Sequence, residues 1–99
     1  MEVYDPQADS WQRMASIPQR LQWHAAAVMG GKIYVTGGCE EGLIPERSVY
    51  VYDPQADAWT QLASMGTVRR AHASAAVGGK LYVFGGYGDA HERLSTAEV

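Results

Sequence analysis

The chain is written almost twice over. Set against itself at an offset of 48 residues, Val3 through Asp9 (VYDPQAD) meets an identical phrase at Val51 through Asp57. At that offset Trp11 falls on Trp59, His24-Ala25 on His72-Ala73, Tyr34-Val35 on Tyr82-Val83, and Gly37-Gly38 on Gly85-Gly86. A period of this length implies stacked supersecondary units, because an irregular domain has no reason to respell its turns and aromatics together.

Each unit reads as four short strands. HAAAVM (24–29) and KIYVTG (32–37) flank Gly30-Gly31, a dipeptide that reaches positive φ without a Cβ clash and suits a two-residue hairpin. SVYVY (48–52) and AWTQL (58–62) flank DPQAD, where proline presets φ and the aspartates bond nearby amides. Val, Ile and Tyr dominate these segments, and no apolar stripe has helical period over a useful length. Four strands in a meander make one propeller blade, so the expected fold is all-β.

With its units laid out, the chain resembles a pair of Kelch repeats. That family's pattern is a hydrophobic run, a double glycine, then a Tyr and a Trp at characteristic spacing. It stands here as KIYVTGG with Tyr52 and Trp59, and as KLYVFGG in the second copy, while Tyr4 and Trp11 supply the pair for a leading unit. The resemblance spans essentially the whole chain. It implies four-stranded antiparallel Kelch blades of a β-propeller, two blade equivalents per chain. Gly37, Gly38, Gly85, Gly86, Tyr4, Trp11, Tyr52 and Trp59 are then expected to be structural, the aromatics burying area between blades. Relatives of this kind commonly join the propeller to a BTB domain that recruits substrates to a cullin-type ubiquitin ligase. No BTB or BACK segment stands in the 99 residues, so an adaptor role is expected of a parent protein.

The expected division is a trailing half-blade at 2–14, a complete blade at 24–62 and a leading half-blade at 72–99. Half-blades expose strand edges that invite pairing with another chain. Propellers close with about four to eight blades, so two to four copies would complete a ring. Six blades are the commonest Kelch number, which favours a cyclic homotrimer with strands 72–84 completed by residues 2–14 of the next copy. The alternative is a designed or fragment assembly scaffold with no ligand of its own, suggested by the repeated DPQAD and the absence of asparagine.

The two copies diverge on one side of the disc. The hairpin turns stay fixed, while CEEGLIPER differs from YGDAHERL and IPQRLQW from MGTVRRA. Loops on a rigid scaffold are where recognition sits, though neutral drift would give the same contrast. Arg69 and Arg70 are the first candidates there, because side-by-side guanidiniums fork onto a carboxylate or phosphate. The Kelch resemblance implies an Arg-x-x-His arrangement used on acidic peptide motifs, which Arg69 and His72 match. Arg20 stands four residues before His24, one out of step. The alternative for these arginines is bracing a loop. Tyr87, Trp23 and His91 are second-rank contacts, with Trp23 equally suited to a core. Glu40, Glu41 and Glu46 read as solvated surface.

No catalytic constellation appears. The three His and single Cys lack close ligand spacing, so no metal or other cofactor is expected. GGYGDA lacks both the full GxGxxG pattern and a following helix, and there is no nucleophile elbow. A copper-radical oxidase shares the Kelch architecture, but its Tyr, His and Cys ligand set has no counterpart. The reading is a non-catalytic interaction module. A net charge of −3 with scattered Lys and Arg disfavours nucleic acid. No apolar run nears the ~20 residues of a membrane span, and MEVYDPQADSW lacks signal-peptide features. One cysteine suits a reducing compartment, giving a cytoplasmic or recombinant expectation.

Overall fold

A computed structural model describes residues 1–39, 46–89 and 92–99. His91, Glu40 and Glu41 lie outside them. The described strands form three antiparallel sheets. The first is a hairpin of β1 (Glu2–Asp5) and β2 (Ser10–Arg13). The second is a complete four-stranded meander of β3 (Ala25–Met29), β4 (Lys32–Thr36), β5 (Val49–Asp53) and β6 (Ala58–Gln61). The third joins β7 (Ala73–Val77), β8 (Lys80–Phe84) and β9 (Ala97–Glu98). The fold is all-β, built of blades.

Turn chemistry sets the register. Met29 pairs with Lys32 across Gly30 and Gly31, whose φ values of 59° and 74° are those of a primed turn matching the strand twist. In the DPQAD turns, the Asp53 carboxylate accepts the Gln55 amide at 3.0 Å and Asp5 accepts that of Gln7 at 3.0 Å. Each turn closes with an aspartate at positive φ that accepts the Tyr hydroxyl: Tyr52 to Asp57 at 2.7 Å and Tyr4 to Asp9 at 2.6 Å. Each Tyr ring tilts against its opposite Trp, at 5.1 Å for Tyr52–Trp59 and 5.3 Å for Tyr4–Trp11.

Blades stack through their first strands, β3 against β7. Val49, Met65 and Val83 form a buried cluster, and Val35, Tyr50 and Tyr52 are buried as well. The double glycines explain themselves here. A Cβ on Gly38 would stand 2.8 Å from the Gln22 carbonyl and 2.9 Å from the His24 Cβ, so chain approaches chain where no side chain fits. The first glycine of the pair serves the neighbouring blade. A Cβ on Gly37 would meet the Arg69 carbonyl, the His72 ring and the Met65 methyl.

Gly37→Ala is therefore expected to cost about 2–4 kcal/mol, combining positive-φ strain with overpacking. Chemical denaturation of the variant beside the parent chain measures it.

Candidate functional site

The diverging loops are not free of backbone duty. Gln22 and Cys39 exchange amide-to-carbonyl bonds at 2.9 and 2.8 Å, and Arg70 and Tyr87 do the same at 3.1 and 2.9 Å. These pairs occupy equivalent places in the two units. At these positions the backbone pairing is the same in both copies while the side chains differ. Trp23 and Ala71 extend the rule: both take positive φ, 56° and 53°, and the Ala71 amide donates to the Trp23 carbonyl at 2.7 Å. Positive φ at a non-glycine residue costs roughly 1–3 kcal/mol and persists only where surrounding bonds enforce it.

Three of the candidate side chains converge on this frame. The Arg70 guanidinium carbon lies 5.0 Å from the Trp23 ring centre and 5.3 Å from that of Tyr87. Electron-rich ring faces attract the cation. Arg70 is 8% exposed and Trp23 50% exposed, so the surface is an aromatic platform with a cation set into it. Trp23 is not core. Arg20 is exposed at the surface, and the placement of His91 is not described.

Arg69 turns inward. It is fully buried, with Nε 3.3 Å from a Glu98 carboxylate oxygen. Its Nη1 donates to the carbonyls of Gly85 and Thr96 at 3.0 and 2.9 Å, and Nη2 to the Thr96 hydroxyl at 2.9 Å. The expected ligand fork is thus spent within the chain, and the bracing alternative describes this residue. A guanidinium suits the place because it satisfies several buried acceptors at once. At the equivalent seam Gln19 does a smaller version, its Oε1 accepting the hydroxyls of Ser48 and Tyr50 at 2.9 Å each. Sequence comparison between the units could not find this pair, because Gln19 and Arg69 do not hold equivalent positions.

Beside Arg69, the His72 Nε2 and the Thr36 hydroxyl are 2.7 Å apart, while His72 Nδ1 is buried without a hydrogen-bond partner. Burial foremost, then the Arg69 cation and His24, push the imidazole pKa down to about 4. Among the described residues no group of three His, Cys, Asp or Glu side chains is placed to hold a metal.

Known proteins carry the same pattern. The Kelch motif family profile matches residues 24–66 and 69–99. Human Kelch-like protein 33 is 38% identical over 39 residues, which cover 39% of this chain and 7% of that protein. Rat Kelch-like protein 38 is 47% identical over 36 residues, covering 36% of this chain and 6% of that protein, and its human counterpart matches equally. The matched segments are thus a small part of these curated relatives.

A pH response follows from His72. Its folded-state pKa lies below the ordinary 6.5, so the unfolded chain binds the proton more readily. Stability is therefore full above pH 6.5 and declines as pH falls toward 4. Urea midpoints across that range are expected to fall, and His72→Gln to flatten the slope.

Proposed function

Because the chain belongs to the Kelch motif family, we propose that it is a non-catalytic protein-interaction module, its loop face receiving an acidic peptide or protein segment. The observation that carries this reading is the Arg70 guanidinium fixed between Trp23 and Tyr87. A cation held in place loses little rotamer freedom on meeting a carboxylate, and a half-exposed indole adds apolar contact beside it. Arg69 supports the face from below rather than touching the partner. The module acts as part of a propeller ring made from further copies, with six blades from three chains as the arrangement that family habit favours. A reducing, cytoplasmic setting suits the single buried cysteine. A second reading, an assembly scaffold with no ligand of its own, draws support from the identical VYDPQAD turns.

The test is selection of short Asp- and Glu-rich peptides from a display library against the full chain. Enriched peptides are expected to bind Arg70→Ala about tenfold more weakly, the loss of one charge-assisted contact. Arg69→Ala should instead lower folding stability by about 2 kcal/mol, through carbonyls and a carboxylate left unpaired. No enrichment over an unrelated β-protein, or equal binding by Arg70→Ala, would favour the scaffold.

A further inference from the structure

Two seams equivalent by the repeat flank the complete blade, and they differ. At the first, the segment leaving β2 is tied to the β5–β6 hairpin. The Ala15 amide donates to Asp57 at 2.8 Å, and Trp59 Nε1 donates to the Ala15 carbonyl at 2.9 Å. There Tyr52 is 3% exposed. At the second seam the counterpart of Ala15 is Ala63, which is exposed. It borders an open cleft of about 550 Å³ whose walls include Met65, Lys80, Leu81, Val83 and Val99.

The β1–β2 hairpin is a finished copy of the β5–β6 hairpin, with matching register, ring tilt and Tyr–Asp bond. Its aromatics are nonetheless unburied: Tyr4 is 41% and Trp11 68% exposed. The chain therefore displays both halves of a contact that it already makes once within itself.

We infer that the cleft beside Ala63 receives the β1–β2 hairpin of a second copy of this chain. In that seat Asp9 of the second copy accepts the Ala63 amide, and its Trp11 Nε1 donates to the Ala63 carbonyl. Its Tyr4 stands opposite Leu81, as Tyr52 stands opposite Ile33. The docked hairpin enters at Tyr4, because Glu98 already holds on β8 the place that repeat phase assigns to Glu2. Hairpin and cleft are different surfaces, so the contact is head-to-tail and propagates until rotation closes it. This inference rests on the ring part of the proposed function and is independent of the peptide face.

Disulfide trapping tests it. Asp9→Cys combined with Ala63→Cys is expected to give covalent multimers on oxidation, ending at a closed ring. Ala15→Cys with Asp57→Cys should close within one chain, reporting that the seam geometry has formed. A 9/63 pair that remains monomeric while the 15/57 pair closes would overturn the inference. Native mass supplies the second readout. The unmodified chain is expected to run as a multiple of its mass, with Trp11→Ala raising the half-assembly concentration about tenfold. A single-chain mass at every concentration, or full assembly by Trp11→Ala, also overturns it. Arg70→Ala should assemble normally, so failure of the peptide reading leaves this result standing.

Discussion

The Asp57 carboxylate is where local turn chemistry becomes stacking of blades. It sits at positive φ at the end of a turn, accepts the Tyr52 hydroxyl from its own hairpin, and accepts the Ala15 amide from the adjoining unit. That amide, ahead of the Tyr52 hydroxyl, holds the carboxyl below the usual carboxylate range. Burial of the Tyr52 ring, and then Asp57 itself, push the phenol up to about 12, so the pair stays in its bonded form across ordinary conditions. A twisted four-stranded sheet cannot bury both faces alone. This small cluster fixes how its neighbour sits.

The same logic separates scaffold from surface on the loop side. Backbone pairs at Gln22–Cys39 and Arg70–Tyr87 are common to both units, and each lies against the second glycine of its unit. With the main chain held in this way, different side chains stand on the same frame in the two units. One unit sets Gln, Trp and Cys on the frame, and the other sets Arg, Ala and Tyr. An aromatic platform bearing a cation arises from residues of both units, Trp23 from the first and Arg70 with Tyr87 from the second. No single repeat contains it.

Much of the architecture was legible in the residues. The glycine-glycine hairpins, the aspartate turns and the Tyr–Trp pairs depend on contacts within about ten residues, and such contacts leave local signatures. The site was legible only in part. Arg69 and Arg70 are adjacent in sequence and look alike, yet one is an internal brace and the other lies between two rings. Their backbone directions at the seam decide this, along with acceptors from Gly85, Thr96 and Glu98 that are distant in the chain. Divergence likewise suggested slack at Cys39 and Tyr87, where the backbone is in fact paired.

By itself the sequence determined strands, turns, period and family, because these follow from φ preferences, hydrophobic alternation and a phrase written twice. Tertiary structure alone decided which of two like arginines is buried, which glycine is crowded and which Trp stays exposed. Those outcomes depend on what lies across a seam, and a repeat gives its residues the same neighbours in sequence without giving them the same neighbours in space.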